Sequence, residues 1–239
     1  MINEGTTNPF NPIQAVIVYK KDSTYYLETH DILRGEDKFL WQEGRPFLKE
    51  QLKELSLSLG NSSFTPMEVK GLMPDNILHL QQTFFNTNIA WYLPPSKRVL
   101  HFKKELKLAT GTILLPGLIF CVSNKTLTVV SVKGKNKPTL KTKVFKAPFH
   151  NIHSYGKVCM GNTGENKSKN ILQEEMLRWE RRFFNSYFSH FLDEKVVTKG
   201  TNLQILFKNL MKSQKPFPEN VLVPSSFKTV EKLLKDFTK

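Results

Sequence analysis

The 239-residue chain is 39% hydrophobic and 11% aromatic, with 18 Phe and a formal net charge of +14 at pH 7. Such a composition excludes a disordered or low-complexity chain and describes a globular one long enough to bury its own core. Its two cysteines, Cys121 and Cys159, exclude a disulfide framework, and no Cys/His metal-ligand spacing occurs, so no metal or other cofactor is expected.

The start, "MINEGTTNPFNPIQAV", carries neither a basic n-region nor an apolar h-region, so a cytoplasmic protein without a signal peptide is expected. "IQAVIVYKKDSTYYLETH" predicts two strands around a Lys-Asp-Ser turn, with Ala15, Ile17 and Tyr19 alternating. Phe47, Leu48, Leu52, Leu55 and Leu59 at helical spacing predict a helix stopped at Gly60. "MPDNILHLQQTFF" reads as a short helix opening after Pro74, with Asp75 near its cap. Together these form an expected N-terminal α/β extension over residues 1–90.

From about residue 91 the pattern turns to strands: "NIAWYLPP", "KRVLHFKK", "GLIFCV", "TLTVVSVK" and "TLKTKVFK". Ser123-Asn124-Lys125 and "GKNKP" supply turns, which predicts an antiparallel meander with one buried and one wet face. The longest apolar run, Ile113 to Val122, is broken by Pro116 and Gly117 and is too short to span a bilayer. After an irregular loop comes "NILQEEMLRWERRFFNSYFSHFLDE". Asn170 with Gln173 reads as a capping box, and Leu172, Met176, Trp179, Phe183, Tyr187 and Phe191 form a helical stripe that covers the sheet. Two shorter amphipathic helices are expected around 203–211 and 227–237. Strands and helices are segregated, which is an α+β order, with residues 91–239 as one domain.

Chemistry concentrates in "APFHNIHSYGKVCMGN", Ala147 to Asn162. Cys121 sits inside the apolar "LIFCV" and reads as packing. Cys159 sits among Gly156, Lys157, Gly161, Asn162 and Gly164, a loop composition, and loops carry function. Composition alone leaves Cys159 as either a small apolar residue or a nucleophile. His150 or His153 beside a cysteine is also the raw material of a cysteine hydrolase. The net charge favours anionic partners, whether nucleic acid, membrane surface or acidic protein. The best candidate patch is Lys135, Lys137, Lys141 and Lys143, with Lys133 and Lys146 flanking them. Without interleaved aromatics it is no stacking platform, so nucleic acid is the less favoured partner.

"FHNIHSYGKVCMGN" resembles the active-site loop of ubiquitin-conjugating enzymes, with His150, Asn151, Ile152, Gly156, Val158 and Cys159 matching the family's pattern. The Asn-to-Cys spacing, eight positions, is the one the resemblance implies. The departure is Pro148, which precedes Phe149-His150 instead of separating His from Asn. "WYLPPSKRVLHF", "LPGLIFCV", "TLKTKVFKAPFHNI" and "GKVCMGN" further resemble the bacterial PRTRC system protein B family, a prokaryotic ubiquitin-conjugating-enzyme-like family. The resemblance implies a four-stranded meander, an active-site loop and covering helices. It implies that Cys159 accepts a ubiquitin-like modifier as a thioester from an activating-enzyme-like (ThiF-like) adenylating partner. Asn151 then stabilises the oxyanion as an amine takes the acyl group, with His150 and Gly156 supporting the loop. The rival from another class is a non-catalytic basic adaptor of the same fold that binds nucleic acid in a plasmid or mobile-element system.

Overall fold

The computed structural model describes residues 12–35, 38–58, 67–82, 87–123, 125–160, 170–190, 192–193 and 195–237. The chain divides into two units, Met1–Phe64 and Thr65–Lys239. In the first, strands β1 (Gln14–Lys21) and β2 (Thr24–Arg34) form an antiparallel hairpin closed at Lys21 and Thr24. Asp22 turns it at φ 52°, a left-handed conformation that Asp tolerates better than most residues. Two short strands, β3 (Phe39–Trp41) and β4 (Arg45–Pro46), add to β2, and helix α1 (Lys49–Ser58) follows. The expected stop at Leu59 and Gly60 lies outside the described residues.

The second unit opens with β5 (Ile77–Gln82) and β6 (Thr87–Leu93), then β7 (Lys97–Phe102) and β8 (Gly111–Leu114). Next come β9 (Gly117–Ser123), β10 (Thr126–Val132) and β11 (Lys143–Lys146). Helix α2 (Leu172–Phe184), the two-residue strand β12 (Tyr187–Phe188), helix α3 (Leu203–Ser213), strand β13 (Pro224–Thr229) and helix α4 (Val230–Phe237) complete it. The main sheet has six antiparallel strands in the order β13-β11-β10-β9-β6-β5, and a second sheet has the order β12-β7-β8.

Several expectations are corrected. "ILHLQQ" is strand β5, not a helix, because it pairs with β6 through His79↔Ala90 to Gln82↔Thr87, and tertiary pairing overrides a local pattern. That hairpin straddles residue 90, and the two compact units of the chain meet at Phe64/Thr65. "KRVLHF" leaves the main sheet for the second one. At the centre of the main sheet both faces are buried rather than one. Trp91, Phe120, Leu127 and Val129 pack with Met176, Trp179 and Phe183 of α2. The opposite face, with Ala90, Tyr92, Ile119, Cys121, Val130 and Val132, lies with Val230 and Leu233 of α4. The strand period of two places odd-numbered Leu127 and Val129 on one side and even-numbered Val130 and Val132 on the other.

α2 is bolted to the sheet by Glu180, whose carboxylate accepts from Trp91 Nε1 (3.1 Å) and Arg98 Nη2 (3.2 Å). At its start Ile171 is the N-cap, and Gln173, expected in a capping box, turns its Nε2 to Lys70 O (2.7 Å) and Leu72 O (3.3 Å). Its end comes at Phe184, earlier than the stripe predicts. Asn185 caps the last turn and Ser186 Oγ donates to Phe183 O (2.7 Å), so Tyr187 and Phe188 leave as a strand. Phe191 lies outside the described residues. Among the described residues, no helix is long and apolar enough to cross a membrane.

Candidate active site

The chain leaves β11 at Lys146 and runs through Ala147, Phe149, His150, Asn151 and Ile152, all buried. Phe149 stacks on Phe188 (5.6 Å between centroids, 18°) and meets Phe183 edge-on (5.1 Å, 85°). The His150 ring lies among Phe102, Phe188 and Phe207. Burial first, and the charge of His190 second, lower its pKa from 6.5 to about 4, so it is neutral near pH 7. The ring is packed into an aromatic core. The two residues that stand out of register with the resemblance are therefore the ones that plug the loop into the core.

From Asn151 to Cys159 the chain folds into a small hairpin. His153 N–H donates to Lys157 O (2.9 Å), Cys159 N–H to Asn151 O (2.8 Å), and Gly156 N–H closes the turn onto His153 O (2.7 Å). Gly156 takes φ +87°, where a Cβ would stand 3.1 Å from both Thr128 Cγ2 and Val129 O; the tight approach explains the glycine. The hairpin also extends the sheet: Val129 N–H donates to Gly156 O (2.9 Å) and Val158 N–H to Leu127 O (2.8 Å). These bonds fill the part of β10 that β11 does not reach, since β11 pairs only with Val130 and Ser131.

Cys159 stands at the end of this hairpin with Val158 buried before it and its own side chain exposed. Cys121 is buried, and burial pushes its thiol far above the ordinary range. Only Cys159 is thus presented to an incoming group.

Asn151 ties the hairpin to the segment after α2. It is 8% exposed and sits at φ +61°. Its N–H donates to His190 O (3.1 Å) and its Nδ2 to Tyr187 O (3.1 Å). Its Oδ1 accepts from Ser189 N (3.1 Å), Ser189 Oγ (3.2 Å) and His190 N (3.4 Å). One of two side-chain amide protons is committed to Tyr187. Asn151 is therefore the joint between three strands of chain, and its carbonyl holds Cys159 directly.

Ser189 and His190 are site residues that the sequence reading misses. Ser189 Oγ lies 2.8 Å from His190 Nδ1, and the His190 side chain is exposed. The signal available was Asn185-Ser186, two turn-forming residues that interrupt the helical stripe. The ion pair of Lys146 with Asp193 (2.5 Å) ties the same segment to the end of β11. Burial of Asp193 opposes ionisation, but the Lys146 hydrogen bond, the Lys195 N–H and both lysine charges outweigh it and hold the carboxyl below its usual range.

Of the two rings that could serve a hydrolase, His150 is buried among phenylalanines, and His153 stacks on Tyr155 (5.4 Å, 11°) opposite Lys157. The basic patch lies elsewhere. Lys135, Lys141 and Lys143 are exposed, Lys137 Nζ contacts Asp75 O, and Lys133 lies over the Phe145 ring (4.6 Å). They surround the turn after β10, while the Cys159 hairpin bridges Thr128 near its start, roughly 16 Å away at strand rise.

No curated protein and no solved structure matches the chain. A family model does: that of prokaryotic E2 family D matches residues 51–225, nearly three quarters of the sequence, from within α1 to the start of β13, and so includes the whole Asn151–Cys159 hairpin and its 187–190 support. An antiparallel sheet, an exposed cysteine loop and a helix behind it are compatible with an E2-like fold, and on the extent of that match the chain belongs to prokaryotic E2 family D.

Proposed function

We propose that this protein is a ubiquitin-conjugating-like acyl carrier and that Cys159 is its acceptor. The Cys159 thiolate attacks the thioester of a ubiquitin-like modifier held by an activating-enzyme-like adenylating partner, and the donor thiol leaves. An amine then attacks the Cys159 thioester carbonyl, the C–S bond breaks, and an amide forms as the amine loses its proton. The acyl group arrives activated, so no strong base is required in the loop. The observation that carries the reading is the pairing of an exposed Cys159 with the bolted Asn151 in a chain of a prokaryotic E2 family.

Asn151 acts in two ways in this account. It holds Cys159 by its carbonyl, and its second Nδ2 proton is the donor we assign to the tetrahedral oxyanion. Loss of such a donor costs about 10²–10³ in rate. His150 and Gly156 serve the loop by packing and by turning it. Within the prokaryotic E2 families, we read the chain as similar to the PRTRC system protein B family, acting in the cytoplasm within a bacterial mobile-element system. The adaptor reading rests on the lysines of the β10–β11 turn, which stand away from Cys159.

The test mixes the protein with its adenylating partner, ATP and modifier. A reductant-sensitive adduct is expected that vanishes in Cys159→Ala and persists in Cys121→Ala. Failure to form it from a demonstrably charged partner overturns the reading, and salt-dependent DNA binding indifferent to Cys159→Ala then favours the adaptor.

A further inference from the structure

The hairpin arm that ends in Cys159 carries a second exposed reactive side chain, Lys157. Lys157 is bridged to Thr128 and Val158 to Ile152, so residues 157–159 run extended. Their exposure alternates to match: Lys157 and Cys159 are exposed, Val158 is buried. In an extended chain such alternation sends residues two apart to the same face. Their Cα atoms are then about 6.7 Å apart at ordinary strand rise. The flexible four-carbon stem of lysine spans that distance. Among the described residues, no ion pair or side-chain hydrogen bond holds the Lys157 ammonium. It borders a cleft of about 290 Å³, with Tyr155 on the hairpin and Phe227, Leu233, Asp236 and Phe237 across from it. The side chain is therefore free to swing between the cleft and the neighbouring sulfur.

We propose that Lys157 is an in-chain acceptor for the acyl group that Cys159 carries, so that a charged protein left without an external amine modifies itself there. The inference rests on the reading of Cys159 as a thioester carrier. The Lys157 ammonium first gives a proton to solvent, and the Nζ lone pair attacks the thioester carbonyl carbon. The tetrahedral oxyanion collapses, the C–S bond breaks, and its electron pair leaves on Sγ as the Cys159 thiolate. The C–N bond becomes an amide once nitrogen releases its second proton to solvent. No redox partner or cofactor enters the balance. Because amine and thioester share one strand face, the step is intramolecular and independent of protein concentration. The product is an amide that thiols cannot reverse, held beside Cys159 where it obstructs the next loading. Self-modification thereby limits the lifetime of an idle charged carrier.

The experiment needs no biological donor. The probe is the 2-mercaptoethanesulfonate thioester of a short acetylated peptide ending in Gly-Gly, offered to the full chain at pH 8. Intact mass is followed before and after hydroxylamine, which removes thioesters and spares amides. A hydroxylamine-sensitive adduct is expected first, then a resistant one that maps to Lys157 as a missed tryptic cleavage before Val158. In Lys157→Arg the resistant adduct should form about tenfold more slowly or not at all. The sensitive adduct should persist there, and unchanged iodoacetamide labelling of Cys159 would show that the variant keeps its hairpin. In Cys159→Ala neither adduct is expected. A thioester on Cys159 without an amide at Lys157, or an amide at Lys157 that still forms in Cys159→Ala, overturns this inference alone. Absence of any hydroxylamine-sensitive adduct on Cys159 overturns the carrier reading and this inference with it.

Discussion

Replacing Asn151 by alanine tests whether this residue is the joint that holds the cysteine hairpin. Its φ of +61° is a conformation that a non-glycine residue other than Asn or Asp occupies at a cost of about 1–2 kcal/mol. Alanine also leaves the Tyr187 carbonyl and the Ser189 N–H without their Asn151 partners, at about 1 kcal/mol each in a part-buried setting. The sum is about 3–4 kcal/mol, or roughly 6–16 °C in melting temperature for a unit of this size. Asn151→Gly restores the backbone conformation and should recover the first part, leaving about 2 kcal/mol of loss. Asn151→Asp keeps the acceptor for Ser189 and the left-handed conformation but sets a carboxylate against the Tyr187 carbonyl, so it should fall between wild type and alanine near pH 7. Urea denaturation of the three variants, with amide hydrogen exchange at Cys159 and Ser189, reads the order. A loss below about 0.5 kcal/mol for Asn151→Ala, or glycine no better than alanine, would refute the argument that geometry and hydrogen bonds at this residue hold the hairpin.

Three other outcomes follow from the same geometry. The unfolded chain protonates His150 near pH 6.5 whereas the folded chain excludes that proton down to about pH 4. Its contribution to stability is full above pH 6.5 and is lost as pH falls to about 4, at up to about 1.4 kcal/mol per pH unit; a His150→Phe variant should lack that part of the slope in pH-dependent denaturation. Gly156→Ala should lose about 1–3 kcal/mol by thermal melting, because its φ of +87° and the 3.1 Å approaches to Thr128 and Val129 penalise a Cβ twice. In native protein one thiol should react promptly with a chromogenic disulfide and a second only after denaturant, since burial keeps Cys121 protonated; two prompt thiols would contradict the placement.

The part of the site that is local in sequence is the part legible there. Asn151 and Cys159 lie eight positions apart in one loop with Gly156 between, and the hairpin joins them by a single 2.8 Å hydrogen bond. What locks Asn151 comes from Tyr187 to His190, more than 35 residues on, and no local pattern announces it. The aromatic stripe hides the change, because Tyr187 and Phe191 continue a helical period past the point where Asn185 and Ser186 end the helix. Phe149 and His150 show the reverse case: they break the pattern of the resemblance because they fill space among Phe102, Phe183, Phe188 and Phe207, which only the fold brings together. The same holds for β5, whose "ILHLQQ" has no strong period of its own and becomes a strand by pairing with β6. The buried outer face of the sheet was hidden too, since the residues that cover it belong to α4 at the far end of the chain.

The central claim is that the Cys159 sulfur itself carries the acyl group, and Cys159→Ser tests it most directly. Serine oxygen in the same position should take the modifier from a charged adenylating partner as an oxyester. By intact mass and gel mobility, that adduct should resist reductant and fall to alkali, whereas the wild-type adduct falls to reductant. A Cys159→Ser protein that still forms a reductant-sensitive adduct, or a wild-type adduct that reductant leaves in place from the first time point, would contradict the account.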